Sequence, residues 1–247
     1  MDIDETRYYR ESDGNLLKLE ITRESDPMNP RTDWDNAATM VCFHRRYTLG
    51  DVKTLPKGRT GVIPHTNVRY DNSSDGAQAF VEWAEKELKV GNLVIASLEL
   101  YDHSGITMKV HAWGDAAFGT GRTGWDSGIV GWCFLTKDRA YEELAIKNGE
   151  DWMAKAKEHI EGEVRTYDDY LTNEVYRFSL SRLSAYRVAE NGVDQIRFPS
   201  DAAWDEVDSC GGFYGSDPET NGVLDCVPPD AVRITADDLP DVAKEAV

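Results

Sequence analysis

The sequence predicts an α+β fold: a mostly antiparallel sheet, two helical blocks and an acidic C-terminal extension. Apolar runs of strand length recur along the chain, and two longer stretches carry apolar residues at three- and four-residue spacing. Residues 201–247 then hold twelve acids against two bases, Arg233 and Lys244. Strands that come in runs, interrupted by helical blocks, point to α+β and away from a regular β–α alternation.

The elements follow in order. "NLLKLEITRES" (15–25) alternates loosely and reads as a first strand. "SDPMNPRTDWDN" (25–36) is turn chemistry. "ATMVCFHRRYTLGD" (38–51) reads as a second strand running from apolar into basic, and "TLPKGRTGVIPHTN" (54–67) as an irregular connection. "DGAQAFVEWAEKELKVGN" is the first helix, with Asp75 as its cap, Phe80, Val81, Ala84 and Leu88 as its stripe and Gly91 as its stop. "NLVIASLELYDH" (92–103) and "GITMKVHAWG" (105–114) are two strands around a short turn, and "GWDSGIVGWCFLT" (124–136) is another.

From Lys137 the pattern turns helical. "DWMAKAKEHIEGEVRTYDDYLTNE" (151–174) puts Met153, Ala156, Ile160, Val164, Tyr167 and Leu171 near one face, with acids opposite. "EVYRFSLSRLSAYRVAE" (174–190) returns to strand character. Beyond Phe198 the chain reads as turn-rich and acidic, with "CGGFYG" its one short apolar stretch. Without a repeat or a linker, the expectation is one domain over 1–215 and an acidic extension over 216–247.

Composition sets limits on function. With 40% apolar and 29% charged residues in 247, the chain has a globular and not a disordered balance. No run reaches the ~18 apolar residues of a membrane span, and "MDIDETRYYRESDGN" has no basic or apolar leader region, so a cytoplasmic location is expected. Cys42 and Cys133 sit in apolar runs and read as buried thiols; Cys210 and Cys226 lie in a polar region where pairing stays open. The net charge of −18 repels nucleic acid and acidic membranes and favours basic partners or divalent cations. Solubility alone also accounts for such a charge.

Four polar clusters carry candidate chemistry: "WDN" with "FHRRY" (34–47), "YDHSG" (101–105), "WDSG" (125–128) and "VDSCGGFYG" (207–215). Asp, His and Ser are what general acid–base catalysis needs. Neighbours on a strand face opposite ways, so Asp102 and His103 cannot orient one another along it. In a turn, Asp102 more naturally accepts backbone N–H groups, and "YDHSG" is therefore read as a turn held by its own Asp. The same account covers Asp126-Ser127-Gly128 and Asp208-Ser209. His44, His103 and His111 lack any H-x-H, H-x-x-x-H or H-E-x-x-H spacing, and no calcium loop is present, so neither metal nor cofactor is expected.

"GTGRTG" (119–124) satisfies G-x-G-x-x-G, yet a strand and not a helix follows it, which makes it a loop. Arg45 and Arg46 point to opposite faces if the strand continues through them; they serve as a strand end pairing with acids or as an anion clamp. Most aromatics belong to the core. Tyr101, Trp125, Phe213 and Tyr214, near polar loops, would join Arg45, Arg46 and Asp208 in a binding face.

"WDNAATMVCFHRRYTLGD", "LYDHSGITM", "WDSGIVGW", "YDDYLTNEVYRF" and "DSCGGFYG" occur in order between about residues 33 and 215. On these motifs the chain resembles a family of proteins carried by bacteriophages and other mobile elements of bacteria. The stretch around "AAFGTGRTG" is longer than that family's pattern, and Gly211 stands where an aromatic is more typical. The resemblance brings no catalytic residues with it. It implies a bacterial cytoplasm as the workplace.

The leading expectation is therefore an acidic, non-enzymatic phage-type protein that binds host machinery. It would be a counter-defence inhibitor, of anti-CRISPR or anti-restriction type, mimicking nucleic-acid charge toward a basic effector or nuclease and binding neither nucleic acid nor membrane itself. The alternative is a small hydrolase or nucleotide-processing enzyme using His44, Asp102, His103 and Asp126, which requires those side chains to converge in one concavity.

Overall fold

The computed structural model describes residues 3–44, 46–52, 59–71, 74–114, 116, 124–191 and 193–245, with the backbone alone at 74–76 and 193. In chain order the strands begin with β1 (Glu5–Arg10), β2 (Leu16–Arg23), β3 (Thr39–Cys42), β4 (Gly61–Val62) and β5 (Arg69–Tyr70). Helix α1 (Ser74–Lys89) precedes β6 (Leu93–Asp102), β7 (Ile106–Trp113) and β8 (Ser127–Thr136). Two helices, α2 (Lys137–Glu143) and α3 (Trp152–Leu171), lead into β9 (Val175–Leu183), β10 (Tyr186–Glu190), β11 (Val193–Arg197) and β12 (Trp204–Tyr214). Strand β13 (Val232–Ile234) and helix α4 (Asp241–Glu245) close the chain. This is an α+β fold with antiparallel pairing throughout.

The chain divides into two compact units, residues 28–172 and residues 1–27 with 173–247. The expected boundaries, one domain over 1–215 and an extension beyond, fall elsewhere. Strand β2 pairs with β9 on one side and with β1 on the other, and β1 pairs in turn with β13, so the N-terminus joins the C-terminal third.

In the 28–172 unit the sheet order is β3-β8-β6-β7. Successive residues of β8 serve opposite cores. Trp132 and Phe134 pack with Phe80, Val81 and Ala84 of α1, while Cys133 and Leu135 pack with Ala156, Ile160 and Val164 of α3. Burial on both faces explains why "VGWCFL" is continuously apolar. The strand expected over 38–51 stops at Cys42. The chain then loops out and returns, with Gly50 bridging Val41 and the Asp51 N–H donating to the Met40 carbonyl at 2.8 Å.

The other unit holds the order β12-β9-β2-β1-β13. Leu17, Leu19 and Ile21 of β2 meet Tyr176, Phe178 and Leu180 of β9 on one face, closed by Val223. The segment expected to be an acidic extension is built in. Strand β13 pairs with β1, and Leu239 and Ala243 are buried beside Leu16 and Leu183. The stretch beyond Phe198, expected to be turn-rich, contains the eleven-residue strand β12.

All four cysteines are free. Burial pushes the Cys42 thiol up to about 12 and Cys133 well above its ordinary value, which makes both inert packing groups. Arg45, the loop residues 119–123 of "GTGRTG" and the Asp75 side chain lie outside the described residues.

Candidate binding site at the β6–β7 tip

Strands β6 and β7 pair out to Asp102↔Ile106, leaving a three-residue tip, His103-Ser104-Gly105. The tip closes with the His103 N–H donating to the Gly105 carbonyl at 3.0 Å and Ser104 at φ 59°. The segment entering β8 lies alongside, since the Asp102 N–H donates to the Asp126 carbonyl at 2.8 Å and Tyr101 pairs with Ser127. Two sequence-distant motifs, "YDHSG" and "WDSG", thus form one surface.

The third motif joins them through the loop after β3. The Asp102 carboxylate accepts from the Arg46 guanidinium and, at 3.3 Å, from the Tyr47 hydroxyl. That corrects the expectation that Asp102 holds its own turn. The loop residue His44 is turned inward instead: its Nδ1 accepts the N–H groups of Arg46 and Tyr47 at 3.3 and 3.2 Å, and its ring stacks on Tyr47 at 5.0 Å. Arg46 is on a loop, not on a strand, so the opposite-face argument does not apply to it.

His103 and Asp126 make an imidazole–carboxylate contact on this surface, Nδ1 to Oδ2 at 3.2 Å. Of the four side chains of the enzyme alternative, those of His103 and Asp126 are in contact with each other. Asp102 is engaged by the Arg46 and Tyr47 side chains, and His44 by the backbone N–H groups of those same two residues. His103 projects at 62% exposure and Arg46 at 67%, while Trp125 reaches 88% and Tyr101 45%. Chemically this is an outward display of an indole, a phenol, an imidazole and a guanidinium on a hydrogen-bonded support. His111 lies further along β7 and faces Glu99 at 3.4 Å. Among the described residues no group of three or more His, Cys, Asp or Glu side chains is placed to hold a metal ion.

The remaining expected binding residues, Asp208, Phe213 and Tyr214, belong to the other unit. "DSCGGFYG" is there a bulged strand. A Cβ on Gly211 would meet the Glu24 carboxylate, whose Oε2 also accepts the Gly212 N–H at 2.7 Å, and Phe213 packs on Phe178. Gly211 thus stands for close approach of a side chain.

Sequence reasoning missed a buried charge network. The Arg31 side chain, 0% exposed, donates to both oxygens of Asp51 at 2.8 and 2.7 Å and to Glu163 at 2.5 Å. Glu163 also accepts the Ala37 and Ala38 N–H groups and meets His159 Nε2 at 2.8 Å. Burial pushes the Glu163 carboxyl up, but His159 and Arg31 outweigh it and hold the group below its ordinary value. The hydrogen bond to Glu163 raises His159 above its own. Trp34, Asp35, Glu158, His159 and Glu163 line part of a groove of about 780 Å³. The i,i+4 spacing of His159 and Glu163 on one helix was the available signal; the partner Arg31 lies 132 residues from Glu163 and gave none.

No family model, curated protein or solved structure matches the chain.

Proposed function

We propose that this protein is a non-enzymatic binding protein for a basic protein partner and that the β6–β7 tip makes the contact. The observation that carries the reading is the 88% exposure of Trp125, grouped with Tyr101, His103 and Arg46. Trp, Tyr and Arg dominate the few residues that supply most interface energy. Leaving a large aromatic in water forgoes about 2–3 kcal/mol of burial, which a partner surface would recover.

The charge supports the sign of the partner. The unit formed by 1–27 and 173–247 has 23 acids and 10 bases, −13 of the net −18. Such a field draws basic surfaces and raises association rates. The resemblance to mobile-element proteins supports a bacterial partner, a basic nucleic-acid-binding effector or nuclease of a defence system whose groove takes carboxylates in place of phosphates.

The test is capture from bacterial lysate at low and at high salt. The native protein should retain a basic nucleic-acid-binding protein, lose it in high salt, and yield it to added duplex DNA. Trp125→Ala should weaken that capture about thirtyfold, the equivalent of ~2 kcal/mol at a dominant contact residue. Capture that ignores both salt and Trp125→Ala overturns the reading. Turnover of an ester or nucleotide substrate, abolished by His103→Ala, would establish the enzyme alternative through the His103–Asp126 pair.

A further inference from the structure

We infer that the free edge of β12 is a docking edge for an extended basic segment of the partner, which adds to the sheet as a sixth strand. The inference rests on the reading of a basic partner and names a second place where it is held.

The edge is unusual in its length. In the order β12-β9-β2-β1-β13, β12 is an outer strand of eleven residues, whereas the opposite outer strand, β13, has three. Proteins commonly keep edge strands short, because a row of unpaired N–H and C=O groups is a template for another chain. Among the described residues β12 pairs with β9 alone. Residues 205–212 are exposed without a break, so apart from the Glu24 carboxylate at Gly211 and Gly212 both faces of the strand are open and not only its edge. Between its two ends, where Trp204 and Phe213 pack on the core, β12 adds nothing to the apolar layer: Asp208 and Cys210 lie opposite Leu180 and Phe178, and both are exposed where those two are buried.

Charge selects the occupant. Asp205, Glu206 and Asp208 line this strand on a unit of net −13. A second copy of the chain would bring the same carboxylates and the same field against them. A lysine- or arginine-bearing strand would bring the opposite sign to both faces, with the backbone ladder supplying affinity and side chains supplying choice. Val207, 48% exposed at a bulge between Glu206 and Asp208, offers an apolar contact within the acidic row.

The test uses the full chain and a ten-residue peptide alternating lysine and valine, with a glutamate–valine peptide as control. Hydrogen exchange should show amides within 205–212 slowed at least tenfold by the basic peptide alone, with 101–127 unchanged. Asp205→Asn with Asp208→Asn should weaken peptide binding about tenfold. Val207→Pro keeps the charge, sits at a bulge where proline is tolerated and removes a ladder position; it should also abolish binding while β9 amides stay protected. Equal binding of both peptides, or binding without protection of 205–212, overturns the inference. Protection there that grows with protein concentration and needs no peptide would assign the edge to a second copy, and also overturns it. Trp125-dependent capture with an idle β12 would leave the proposed function standing and remove this inference alone.

Discussion

At the scale of single residues, the clearest demands come from backbone approach and buried charge. Gly131 of β8 lies so close to β3 that a Cβ would land on the Val41 carbonyl oxygen. Backbone cannot move aside as a side-chain end can, so Gly131→Ala should cost about 3 kcal/mol in urea unfolding, at the upper end for overpacking. His159 gives a pH signature. Its folded value is raised above the ordinary 6.5 by Glu163, so its contribution is fully present below that pH and is lost as pH climbs through the folded value. His159→Gln should therefore destabilise more at pH 5.5 than at pH 9; an equal loss at both would remove the ion pair from the account. Asp102 shows what single residues hide. Its turn position was legible in "YDHSG", but its partners Arg46 and Tyr47 lie 56 and 55 residues away, on a loop that the apolar run "MVCF" disguised as strand.

At the scale of elements, legibility tracked burial. Strands β6 and β8, covered on both faces, and helices α1 and α3, with one apolar stripe each, carry periodicities that a sequence displays. Strand β12 carries none: its residues 205–212 are exposed, and backbone pairing to β9 defines it. Strand β1 is equally quiet, since "ETRYYR" spends a buried position on Arg7, paired with Glu5 at 2.6 Å and Glu219 at 2.7 Å. Helix α3 begins where Asp151 accepts the N–H groups of Met153 and Ala154 at 3.0 and 3.3 Å. Asp151→Ala should cost about 1 kcal/mol by chemical denaturation, and Asp151→Ser should restore most of it.

For the whole molecule, two facts combine: a division into two units and an uneven charge. The 28–172 unit is continuous in sequence and encloses two apolar clusters made entirely of its own residues. Expressed alone, residues 28–172 should unfold cooperatively in urea; a broad, non-cooperative loss of signal would contradict that independence. No described helix is long and apolar enough to cross a membrane. The aromatic tip belongs to the 28–172 unit and most of the negative charge to the other, so on the proposed function contact and steering would be separable by mutation. The measurement that tests the central claim most directly is amide exchange across the whole chain, with and without the basic partner captured from lysate. The account predicts protection at 101–105 and 124–127 that Trp125→Ala removes. Full exchange at those positions in the bound state, whatever happens elsewhere, would contradict it.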